Sequence, residues 1–274
     1  MKSVPEHSLC MGAPLSQLSH MVTAFVSSGP RPGDSGICSV ALVDLLHQLR
    51  KLLPHAPIVV VFDAPRPAHT RPTSAFDVQD KGNTTQSRLD YSMKISRARL
   101  LPDPLLRVIE FERWMHQGEA LREGMRACTT PLVFSAQDDI QLVALETIQV
   151  DMIVQRLLCD QMVEYVRLYW GDVLKPSKFG VQVSGEHPSQ PGLLSTPEWS
   201  DRPHFARVAT YRDRVWPLFW EGRKEFPEIA VMQHLRTASP NHPWALWAFA
   251  PNCSMLHERH HRCGHRRSRN PSYG

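Results

Sequence analysis

The sequence predicts one α/β domain built on a mixed, mainly parallel sheet flanked by helices. Three observations carry that expectation. A β-branched and aromatic run, HMVTAFVSSG, is closed by Ser27, Ser28, Gly29 and Pro30. Apolar residues then recur at 42, 45, 46, 49, 52 and 53, the spacing of an amphipathic helix that Pro54 ends. Five consecutive apolar positions, 58 to 62, follow and stop at Asp63, as in a strand buried on both faces. Strand, helix, strand with short connections is a β-α-β unit, and sheets built from such units bind ligands beyond the carboxyl ends of their strands. Ser27, Ser28 and Asp63 are expected to share that edge.

The next elements continue the alternation. Residues 64–86 combine prolines and glycines with polar side chains and are expected to form a long loop, either a lid that covers a site or a mobile segment. QSRLDYSMKISRARLL has the composition of a helix whose Lys94, Arg97 and Arg99 form a solvated face, and LLRVIEF is a short strand after Pro104. In RWMHQGEALREGMRAC, the residues Ala120, Leu121, Gly124, Met125 and Cys128 lie on one side of a helix closed by Pro131. PLVFSA is then a strand that ends in Gln137, Asp138 and Asp139. Beyond it, residues 144–170 are expected to hold one or two helices and residues 171–203 mostly loop. RVWPLFWEGRKEFPEIAVMQHL supplies aromatics and a helix, and the last forty residues show no periodic pattern.

A chain of 274 residues with 42% hydrophobic and 21% charged residues can bury a sizeable core, which excludes a mostly disordered protein. The net charge of +4 resides largely in the tail, at Arg259, Arg262, Arg266, Arg267 and Arg269, so nucleic acid is not expected as a partner. Six cysteines scattered at 10, 38, 128, 159, 253 and 263 suit reduced thiols. With no run of 18 apolar residues and no secretory pattern, the expectation is a soluble, cytoplasmic protein without an integral membrane segment.

The acidic pair is the informative feature. Two carboxylates at a strand end are hard oxygen ligands of the kind that Mg2+ or Mn2+ takes together with diphosphate oxygens, although a bare Asp-Asp also suits a helix cap or a solvated turn. Its context is HQGEALREGMRACTTPLVFSAQDD, with Gly118, Ala120, Arg122 and Gly124 before a small-residue helix end, an apolar strand and the acids. That order resembles the GT-A nucleotide-sugar glycosyltransferases, the family 2-like group in particular, over about residues 20–142. The resemblance implies a Rossmann-like GT-A sheet that binds a nucleotide-sugar donor, UDP-linked by family habit, and transfers its sugar to a carbohydrate or glycoconjugate acceptor. It divides the chain into an N-terminal extension (1–19), a nucleotide-sugar-binding half (20–142), an acceptor-side half of the same domain (143–258) and a basic tail without fixed structure (259–274).

Residue by residue, the resemblance implies nucleoside contacts at Ser27, Ser28 and Asp63, with Arg66 three residues on. Family members carry Asp-x-Asp or an acidic variant, and here Gln137 stands first. Asp139 is then the direct metal ligand, with Asp138 supporting it or contacting ribose, and His257 fits the late histidine that several members use as a further ligand. An inverting transfer also needs a carboxylate to take the acceptor proton. TPEWSDRPHF offers Asp201 first and Glu198 second, beside a Trp199 that could stack on a sugar ring. Asp201 could instead pair with Arg202 or cap a helix, and His204 could simply fill space. Two other functions fit the same residues. One is a catalytically inactive GT-A-like binding module, since Gln137 departs from the motif. The other is a zinc-containing interaction protein using Cys253, His257, His261 and Cys263.

Overall fold

The computed structural model describes residues 18–30, 36–67, 85–142, 144–168, 185–219, 226–237, 244–249 and 258–260. The seven elements expected up to the acidic pair are all present: β1 (Val22–Ser28), α1 (Gly36–Leu52), β2 (Ile58–Phe62), α2 (Thr85–Arg99), β3 (Leu106–Glu110), α3 (His116–Met125) and β4 (Leu132–Gln137). The loop expected to act as a lid lies mostly outside the described residues.

A nine-stranded sheet organises the molecule. The further strands are β5 (Ile140–Leu142), β6 (Tyr165–Leu168), β7 (Gly185–His187), β8 (Gln190–Ser195), β9 (His204–Arg207), β10 (Leu246–Phe249) and β11 (Glu258–His260). The sheet order is β3-β2-β1-β4-β9-β6-β10-β8-β7, while β11 and β5 form a separate pair. Only β9 and β8 run against the other seven strands, so the sheet is mixed and mainly parallel as expected.

Both faces of the sheet are covered, which is why its central strands read as unbroken apolar runs. On one face Val22, Ala24 and Val26 of β1 and Ile58, Val60 and Phe62 of β2 pack against Leu42, Leu45, Leu46 and Leu49 of α1 and Tyr91, Ile95 and Ala98 of α2. Helix α4 (Val150–Cys159) adds Ile153, Val154 and Leu157 to the same layer. On the other face Phe25, Val59 and Val61 meet Leu121 and Met125 of α3, together with Tyr211, Val215 and Phe219. Helix α5 (Pro227–Thr237) closes that layer with Ala230 and Val231. Gly124 sets the approach of α3, because a Cβ there would lie 2.5 Å from Val61 Cγ1 and 2.7 Å from Phe25 Cε2.

Several expectations need correction. Residues 165–168, read as helix, form β6, and the stretch read as loop contains the β7–β8 hairpin. The segment taken as an acceptor loop runs into β9, and the patternless end holds β10. Strands of three to six residues contain too few periods for alternation to register, and β6 and β10 are buried throughout. Arg259 and His260, assigned to an unstructured tail, pair with β5. Cys128 is a free thiol as expected, but Cys159 is disulfide-bonded, since spacing along the chain does not report proximity in space.

Candidate active site

The topology brings the acids together. β1 lies between β2 and β4, parallel to both, with Ser28 opposite Phe62 and Ser27 opposite Gln137. The ladder extends one residue past each strand: the Asp63 N–H donates to the Ser28 carbonyl at 2.9 Å, and the Asp138 N–H to that of Ser27 at 3.1 Å. Asp63 and the acidic pair therefore stand on either side of the carboxyl end of β1, about 10 Å apart by strand spacing.

Asp63 is already engaged. Its two carboxylate oxygens accept the backbone N–H groups of Met115 (2.7 Å) and His116 (2.8 Å), which open α3. A negative charge at the positive end of a helix is favourable. It also holds a bend, because His116 adopts a left-handed φ of 67°. The Tyr91 hydroxyl donates to the Asp63 carbonyl at 2.8 Å. Beyond it, the Arg66 guanidinium lies 5.2 Å over the Trp114 ring, and His116 meets Trp114 and Phe226 edge-on.

Alternation along β4 separates Gln137 from Asp138. Leu132, Phe134 and Ala136 face α1 and α2, and Asp138 follows them to that side. There its Oδ2 accepts the Ser28 hydroxyl at 2.6 Å and the Lys94 ammonium at 2.9 Å, an ion pair with side chains only 2% exposed. Lys94 thus corrects the expectation of a solvated face: it is buried, unlike the exposed Arg97 and Arg99 of the same helix.

Gln137 turns the opposite way and meets Asp201. Its Nε2 donates to Asp201 Oδ2 at 2.9 Å, and Gln117 of α3 donates to the same oxygen at 3.0 Å. Burial pushes the Asp201 carboxyl up to about 6, helped by the negative charge of Glu228 and opposed by the Gln117 hydrogen bond, by Arg202 and by its own backbone. Neither Gln117 nor Glu228 was singled out by sequence reasoning.

The loop that carries Asp201 is pinned from beneath. Trp199 is 2% exposed and packs against Tyr165, His204 and Tyr211, which corrects the idea of a sugar-stacking platform. Its indole belongs to the core that holds the loop. The Tyr165 hydroxyl donates to the Ser200 carbonyl at 2.8 Å. His204 is fully buried, and burial lowers its pKa to about 4. The neutral ring donates from Nδ1 to the Arg202 carbonyl and accepts the Tyr211 hydroxyl at Nε2, so space-filling is what it does. Glu198 is partly buried, with its N–H on the Thr196 hydroxyl at 3.1 Å.

As metal ligands these residues are unequal. Asp138 already neutralises an ammonium, and a divalent ion on the same oxygen would meet Lys94 as a like charge. Asp139 lies partly exposed in the turn between β4 and β5, with its Oδ1 enclosed. Among the described residues no three His, Cys, Asp or Glu side chains form a metal-binding group. His257, Cys253, His261 and Cys263 lie outside the described residues. The β5–β11 register sets His260 opposite Ile140, the residue after Asp139. No described helix is long and apolar enough to cross a membrane.

No protein-family model matches the chain, and no curated protein does. Solved structures with a similar course of chain include S. aureus TarS 1-349, at 12% identity and a TM-score of 0.49, covering 87% of this chain and 59% of that one. A second is the mannosyltransferase PcManGT from Pyrobaculum calidifontis in complex with GDP-Man and Mn2+, at 13% identity and 0.47, covering 89% and 62%. A third is GalNAc-T7 with UDP, GalNAc and Mn2+, at 12% identity and 0.49, covering 85% and 43%. The chain spans less than two thirds of each.

Proposed function

We propose that the chain is a GT-A type glycosyltransferase that moves a sugar from a nucleotide diphosphate sugar, UDP-linked, to an acceptor hydroxyl with inversion. The observation that supports it best is the Asp201 carboxyl, raised to about 6 and clamped by amides from α3 and from the end of β4, at the edge where Asp63 and Asp139 also stand. A base of that strength is ionised at neutral pH and still takes a proton well. As the acceptor oxygen bonds to the anomeric carbon and the bond to the diphosphate breaks, the hydroxyl proton passes to Asp201. Both amides hold Oδ2, which fixes the plane of the carboxyl against the acceptor.

In this reading the nucleoside lies against Ser27 and Arg66, and Asp63 acts by holding the 115–116 backbone in place. Ser28 and Asp138 support the phosphate side through the buried Lys94 pair. Mn2+ or Mg2+, held by Asp139 and diphosphate oxygens, would neutralise charge on the leaving group. Glu198 is the reserve base.

Steady-state transfer with a panel of nucleotide sugars tests the assignment. Asp201→Asn is expected to lower kcat at least about 100-fold with donor affinity unchanged, and Glu198→Gln to leave kcat within about threefold. If Glu198→Gln shows the loss instead, the base is misassigned. A second reading, a binding module without turnover, draws support from the motif acids committed to structural partners, Asp138 to Lys94 and Asp63 to backbone. Nucleotide-sugar binding without any product would favour it.

A further inference from the structure

Arg167 is a buried cation with an unusual environment. It sits next to the carboxyl end of β6, opposite His204 of β9 and Ala248 of β10, and is 7% exposed. Alternation along β6 sends it to the face of Tyr165, where α3, Trp199 and the Asp201 loop lie. Burial raises the Tyr165 hydroxyl well above its ordinary range, and the positive charge of Arg167 opposes that rise while Glu228 and Asp201 add to it; burial likewise lowers the His204 pKa, with Arg167 lowering it further.

Two other inward-facing basic side chains among the described residues have acceptors. Lys94 has Asp138, and Arg207 donates to the carbonyls of Leu157 (2.8 Å) and Asp160 (2.7 Å). Among the described residues Arg167 has no such acceptor, and its Nε is enclosed with nothing to bond. A fold does not bury a guanidinium at a ligand edge without recompense, because an uncompensated buried charge is costly. The geometry also places it away from the donor. In the order β4-β9-β6 it lies two strands beyond the acidic pair, about 10 Å by strand spacing, on the side of Asp201.

We propose that Arg167 is an oxyanion site that receives the carboxylate or phosphate of an acidic acceptor, in two parallel N–H···O bonds. The anion-binding part stands on the geometry alone, and the acceptor assignment rests on the transferase reading. An acidic substituent held there would bring a nearby hydroxyl of the same molecule toward Asp201, so acidic acceptors would be chosen over neutral ones.

Thermal unfolding of the full chain with inorganic phosphate tests it. Wild-type protein is expected to gain roughly 5 °C at about a hundred times the dissociation constant, and Arg167→Met to gain none. Without phosphate, Arg167→Met is expected to melt at or above the wild-type temperature, since it removes an unpaired charge. Arg167→Lys keeps the charge and retains part of the phosphate gain. An equal phosphate response in wild type and Arg167→Met would overturn the site. So would a fall in Arg167→Met without phosphate as large as a core truncation gives, because that would show a counterion within the fold. D-glucuronate is expected to reproduce the gain and D-glucose not to; equal effects would overturn recognition of the anion. The phosphate gain is expected to persist at a UDP concentration that itself raises the melting temperature. Its loss there would assign the anion to the donor diphosphate. Binding of phosphate at Arg167 without transfer of any sugar would reject the transferase reading and leave the oxyanion site standing.

Discussion

Asp201→Asn should stabilise the protein at neutral pH while abolishing transfer. The substitution is isosteric, and because Gln117 and Gln137 both donate to one oxygen, the asparagine carbonyl can accept both bonds in place of Oδ2. What changes is the charge. The wild-type carboxyl is raised from 3.8 to about 6 by burial and Glu228, so the folded state binds the proton more tightly than the unfolded one between those values. With the folded pKa raised, wild-type stability falls as pH rises from about 4 to 6 and then levels off. The displacement corresponds to at most about 3 kcal/mol, and solvent at the partly exposed carboxyl reduces it to about 1–3 kcal/mol. Urea denaturation of both proteins at pH 4, 5, 6, 7 and 8 measures this. Asp201→Asn should match wild type at pH 4 and exceed it by about 1–3 kcal/mol at pH 7 and above. A variant less stable than wild type at pH 7, or a difference that does not change with pH, would refute the account of the raised carboxyl.

Three further outcomes follow from the packing. Lys94→Met leaves the Asp138 carboxylate buried without its ammonium and should cost about 3–5 kcal/mol, whereas Lys94→Met with Asp138→Leu should recover most of it; denaturant midpoints of the two variants decide. Gly124→Ala inserts a methyl against Val61 and Phe25 and should lose about 1–2 kcal/mol by thermal melting, in spite of the better helix propensity of alanine. Asp63→Ala leaves the Met115 and His116 N–H groups without their acceptor and should lower stability by about 2–4 kcal/mol; hydrogen exchange should quicken at the start of α3 before it does in β1.

What the sequence revealed depended on period and length. α1 and β2 were legible because seventeen residues of helical spacing and five consecutive apolar residues leave few alternatives. β6, β9 and β10 have four residues each, and only the finished sheet distinguishes them from loop or helix. The site divided the same way. Strand ends placed Asp63 and the acidic pair at one edge, because parallel neighbours of a common strand direct their carboxyl ends to the same side of the sheet. Their partners were not legible: Lys94 lies 44 residues from Asp138, and Gln117 and Gln137 lie 84 and 64 residues from Asp201. A lysine on a helix of mean polar character gives no local sign that it turns inward. Trp199 misled for a related reason, since an indole beside acids suits a sugar shelf and a core anchor equally until its burial is known.

The claim on which the rest stands is that the carboxyl edge of β1, β2 and β4 holds a nucleotide sugar. Thermal shift with UDP-, GDP- and other nucleotide sugars, each with and without Mn2+, measures it directly. A UDP-sugar is expected to raise the melting temperature, Mn2+ to enlarge the gain, and Asp139→Ala to remove the enlargement while its own melting temperature stays near wild type. A protein whose melting temperature no nucleotide sugar moves, with or without the ion, would contradict it.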